Sequence, residues 1–106
     1  MRKIEREMIQ AIIDRRDWCK ANTRVSRHDK NMRVYLHNNC IAEYTDDGQL
    51  FVNHCGWETV TTKSRLNSLI NFVADPINNG IYQRCYTWFI IRNGVHYQML
   101  QGWHQV

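Results

Sequence analysis

Between Thr23 and Cys55 the chain is cut into short runs by turn-forming residues at regular intervals, and no other feature restricts its fold as much. The runs are Thr23 to Arg27, Met32 to His37, Cys40 to Thr45 and Leu50 to His54, and the breaks are His28-Asp29-Lys30-Asn31, Asn38-Asn39 and Asp46-Asp47-Gly48. Asn, Asp and Gly tolerate the positive φ of tight hairpins, so the spacing predicts an antiparallel meander of four strands. In the second run Met32, Val34 and Leu36 alternate with Arg33, Tyr35 and His37, which makes one face of that sheet apolar and the other polar.

Helical periodicity flanks the meander. Ile4, Met8, Ala11 and Ile12, widened by Ile9 and Ile13, form an apolar stripe in a helix expected from residue 2 to about residue 20. A second helix is expected from Thr62 to Ala74, with Leu66, Leu69, Ile70 and Val73 on one side, and Asp75-Pro76 ends it. Ile81 to Ile91 then reads as one long aromatic and β-branched strand. Arg92-Asn93-Gly94 turns it into Val95 to Leu100. The expectation is a single α+β domain over residues 1 to 106: a two-layer structure in the order α-ββββ-α-ββ. Its antiparallel sheet has about six strands, with both helices on one face.

The 106 residues are 43% hydrophobic and 23% charged, enough apolar material for a packed core and too much for disorder. The net charge of +4 is unevenly spread: residues 1 to 33 hold ten of the fourteen lysines and arginines against five acids. An anionic partner would therefore be drawn to the front third. Charged residues at the start leave no apolar signal core, and no apolar run reaches membrane-spanning length, so export and membrane insertion are not expected. The four cysteines, Cys19, Cys40, Cys55 and Cys85, are widely spaced and read as free thiols.

Catalytic and metal signatures are absent from the sequence. No paired spacing such as C-x2-C occurs, and His54-Cys55 are adjacent residues of a strand that point to opposite faces, so neither a zinc site nor another cofactor is expected. There is no G-x-S-x-G elbow and no phosphate-cradling glycine loop. The expectation is a protein that is not an enzyme.

Two features point to binding. The outward residues of the first hairpin, Arg24, Arg33 and Tyr35, flanked by His28 and His37, interleave cations with an aromatic ring as a base-stacking surface requires. Their plainer reading is a solvated sheet face. At the start of the second helix, Thr61 and Thr62 offer an N-cap, while Lys63 and Arg65 occupy the first turn, where the helix dipole favours acids. Hydroxyls, free N–H groups and two cations at one helix N-terminus suggest an anion site, against a plain reading of surface charge.

The stretch Gly56-Trp57, then Thr61-Thr62-Lys63-Ser64-Arg65-Leu66-Asn67, then Tyr82-Gln83 and Trp88-Phe89, together with Val34-Tyr35-Leu36-His37 and Ile41-Ala42, resembles small accessory proteins of tailed bacteriophages. The resemblance implies a protein made in the cytoplasm of an infected bacterium that works by binding. It carries over no catalytic residues. Two kinds of partner follow: an anionic one, foremost nucleic acid, or a host bacterial protein or defence complex that the chain inhibits.

Overall fold

The computed structural model describes residues 2–106. Helix α1 (Lys3–Asp14) is followed by β1 (Trp18–Lys20), β2 (Thr23–His28), β3 (Asn31–Leu36), β4 (Asn39–Tyr44) and β5 (Leu50–Val52). Then come α2 (Val60–Val73), β6 (Gly80–Arg84), β7 (Thr87–Arg92), β8 (Val95–Gln98) and β9 (His104–Gln105). The strands form a six-stranded sheet in the order β1-β2-β3-β4-β5-β9 and a three-stranded sheet β6-β7-β8, antiparallel throughout.

The α+β class and the four-strand meander are as expected, but the strands divide into two sheets. The stretch read as one strand from Ile81 to Ile91 folds back on itself at Cys85 and Tyr86, both in the left-handed region (φ 51 and 64). Neither residue type announces such a turn, whereas Asn93-Gly94 (φ 50 and 81) does. The large sheet instead gains its outer strands from β1, inside the segment expected to be helical, and from the tail strand β9. Helix α1 stops early because Arg15 adopts a left-handed conformation (φ 54) and its N–H closes onto the carbonyls of Ala11 and Ile12.

One core joins both sheets and both helices. Met8, Ala11 and Ile12 of α1 and Leu66, Leu69 and Ile70 of α2 pack with Val25, Met32, Val34, Leu36, Ala42, Leu50 and Val52 of the large sheet. Ile81, Trp88 and Ile90 of the small sheet complete this core. A register shift between Val34 and Tyr35 leaves Ile41 of β4 unpaired, so consecutive residues Ile41 and Ala42 are both buried. Asn67 fastens the small sheet to α2: its amide accepts from the Ile81 N–H at 2.7 Å and donates to the Ile81 carbonyl at 2.9 Å.

The buried stripe of α1 includes Glu5, while Ile13 is exposed. Glu5 is 3% exposed and Arg65 of α2 is 4% exposed. The Arg65 Nη1 donates to Glu5 Oε2 at 2.8 Å, its Nε donates to Thr23 Oγ1 at 3.0 Å, and Ser64 Oγ also donates to Glu5. These three hydrogen bonds support a charge pair held away from water, and they tie α1, α2 and β2 together across the core.

Candidate nucleic-acid interface

Since strand residues alternate, the register that sends Val25, Met32, Val34 and Val52 inward sends their neighbours out to the opposite face of the large sheet. Arg24 lies across from Tyr35, and Tyr35 from Cys40. Ser26, Arg33, Glu43, Phe51 and Gln105 form a second row across five strands. Among the described residues no helix covers this face, because both helices and the small sheet pack on the other.

Side chains on this face contact one another. The Arg24 guanidinium lies 4.2 Å from the centroid of the Tyr35 ring, and the Tyr35 hydroxyl and Ser26 Oγ both approach His28 Nε2 at 3.4 Å. Arg33 Nε donates to Glu43 Oε1 at 2.8 Å, and Asn31 Nδ2 donates to Glu43 Oε2 at 3.2 Å. Glu43, and after it Tyr35, raise the Arg33 pKa above its ordinary value, so this cation is permanent. Beside the pair an open depression of about 460 Å³ is lined by Arg33, Cys40, Glu43, Phe51 and Trp103. Phe51 and Trp103 add two rings that the sequence reading did not single out. Phe51 was legible in the alternation Leu50-Phe51-Val52, but Trp103 sits in a tail without periodicity and carried no signal.

The start of α2 is arranged differently from the expectation. The helix begins at Val60, and its cap is Thr59, whose Oγ1 accepts the Thr62 N–H at 3.1 Å and lies 3.0 Å from Thr62 Oγ1. Thr62 is thus the buried third residue of the helix's first turn rather than the cap itself, and Thr61 and Thr62 line a smaller depression of about 210 Å³ with Leu36, His37, Ile41, Trp57 and Thr59. Arg65 points the other way, into the core, where Glu5 and Thr23 occupy it. Lys63 is left as the one cation of the expected pair that is not buried. The two cations therefore do not converge on an anion site: one neutralises a carboxylate inside the protein.

The thiols and imidazoles form no cluster of three or more ligands that could hold a metal among the described residues. Cys55 Sγ donates to the Cys40 carbonyl at 3.1 Å, and burial pushes both the Cys40 and Cys55 thiols up, toward the neutral form. The His54 ring turns inward, where its Nδ1 accepts the Gly56 N–H at 2.9 Å and it meets the Trp88 ring edge-on at 5.6 Å. No helix of the described residues is long and apolar enough to cross a membrane.

The family model described as Kyanoviridae Gp96 protein matches residues 1–104. No curated protein and no solved structure matches the chain. With all but the last two residues covered, the chain belongs to the Kyanoviridae Gp96 protein family, a family of phage proteins.

Proposed function

We propose that the protein is a non-catalytic accessory protein of the phage that binds single-stranded nucleic acid in the cytoplasm of the infected cell, through the outer face of its large sheet. The observation that carries this reading is the uncovered face itself, which sets Arg24 on Tyr35 and places Arg33 in one row with Phe51, next to Trp103. Bases stack on exposed rings whatever their sequence, and arginines beside those rings meet the phosphates. Six strands give a platform wide enough for several nucleotides, and the excess of lysine and arginine in residues 1 to 33 gives the approaching strand a favourable field. Titrating a fluorescently labelled single strand tests the reading. Its affinity should fall as salt rises, with a log–log slope of about −0.7 for each phosphate contacted.

A second reading, a protein that occupies a host protein, draws on the apolar side chains exposed at the start of α2, where Trp57 is 53% and Val60 70% exposed. An interface of that kind holds at high salt and survives nuclease treatment.

A further inference from the structure

The depression beside Arg33 and Glu43 has the chemistry of a base-reading pocket, a role deeper than general stacking. Resting on the proposed function above, we propose that it takes one unpaired guanine from the bound strand. Three observations lead there. First, Phe51 and Trp103 line it, and its volume of about 460 Å³ accommodates a purine with its sugar. Second, the Arg33–Glu43 pair is oriented in advance: Glu43 receives Arg33 Nε on one oxygen and Asn31 Nδ2 on the other, so its carboxylate is fixed from both sides. Third, the pair retains unused capacity. Each carboxylate oxygen of Glu43 has a second lone pair, and Arg33 meets Glu43 through its Nε.

A carboxylate held this way accepts two parallel N–H groups, and guanine is the one base that offers them, from N1 and N2 of its Watson–Crick edge. Its O6, next to N1, is an acceptor for a guanidinium N–H of Arg33. Adenine and thymine or uracil give the carboxylate a single donor. Cytosine also gives one, and it brings a smaller ring to Phe51 and Trp103. The site is part of a strand-binding surface rather than a pocket for a free nucleotide, because the face continues from Arg33 to the Arg24–Tyr35 stack, where neighbouring nucleotides lie.

The test uses the intact protein and a short thymine-only strand whose central position is replaced in turn by guanine, inosine, adenine and cytosine. Guanine should bind about ten-fold more tightly than adenine, cytosine or thymine, the discrimination expected of a well-made pair of hydrogen bonds, and inosine, which lacks the N2 amino group, should lose most of that gain. Glu43→Gln, which keeps the shape but ends the double acceptor, should erase the guanine preference, read as the ratio of guanine-strand to all-thymine-strand affinity measured in the same variant. If every strand binds and guanine is no tighter than cytosine or thymine, the pocket assignment is wrong and the stacking surface stands. If no strand binds, the proposed function falls and the pocket with it. Guanosine monophosphate binding as tightly as the guanine strand would also overturn the proposal, since the site would then serve a free nucleotide.

Discussion

Replacing Arg65 with Met removes the positive member of a pair whose two partners are 4% and 3% exposed, leaving the Glu5 carboxylate inside the protein with Ser64 Oγ as its remaining side-chain donor among the described residues. Breaking a buried pair from one side costs about 3–5 kcal/mol, because the surviving charge keeps its desolvation penalty and loses its compensation. In a chain of 106 residues that loss corresponds to a fall in Tm of roughly 12–20 °C. Denaturant melts of the parent, Arg65→Met, Glu5→Leu and the double variant complete a thermodynamic cycle. The double variant should recover most of the stability lost by Arg65→Met, since apolar side chains of similar size then replace both charges. The reasoning is refuted if Arg65→Met melts within about 1 kcal/mol of the parent, a loss no larger than that of an exposed pair. It is refuted equally if the double variant is as unstable as the single one, for then packing around the arginine stem, and not the stranded carboxylate, sets the cost.

Four further outcomes follow from the geometry. Thr59→Ala removes the side-chain cap of α2 and should cost about 1 kcal/mol in a denaturant melt. Lys63→Glu should leave strand affinity within about a factor of two, because Lys63 lies at the start of α2 and not on the sheet face; the acid in the first turn should add about 0.3–1 kcal/mol of stability. Cys85→Asn with Tyr86→Gly puts residues suited to positive φ into the β6–β7 turn and should raise stability by roughly 1–2 kcal/mol, read as a higher Tm. Alkylation followed by mass spectrometry should label exposed Cys19 and Cys85 before Cys40 and Cys55, whose thiols burial pushes up. Because those two folded-state values are raised, their linked stability is whole below the ordinary thiol pKa and is lost as pH rises through the raised values.

The meander was legible because its turns carry Asp, Asn and Gly and its second strand alternates cleanly, so local chemistry and tertiary structure agree. The β6–β7 hairpin was hidden because Cys85 and Tyr86 adopt left-handed conformations that neither residue type favours. Arg65 misled for a related reason. Its partner Glu5 is sixty residues away, so in sequence it reads as a surface cation opposing the helix dipole, and only the packing of α1 on α2 reveals a neutralised pair. On the candidate interface, Arg24, Arg33 and Tyr35 followed from strand alternation. The outward place of Phe51 was legible in the same way, whereas that of Glu43 beside Arg33 depends on the register of β3 and β4, and that of Trp103 on a tail that returns to the sheet through β9.

The central claim is that the outer face of the large sheet holds a single strand by stacking and by charge together, and fluorescence anisotropy across a salt series, on the parent and on Tyr35→Ala, Trp103→Ala and Arg24→Ala, tests it most directly. Each ring removed should weaken binding by about 1–3 kcal/mol with the salt slope unchanged, as the loss of one stacked base requires. Arg24→Ala should instead reduce the slope by about 0.7, the share of one phosphate contact. Affinity that is indifferent to all three substitutions, in proteins that melt like the parent, would contradict the claim and move the binding surface elsewhere.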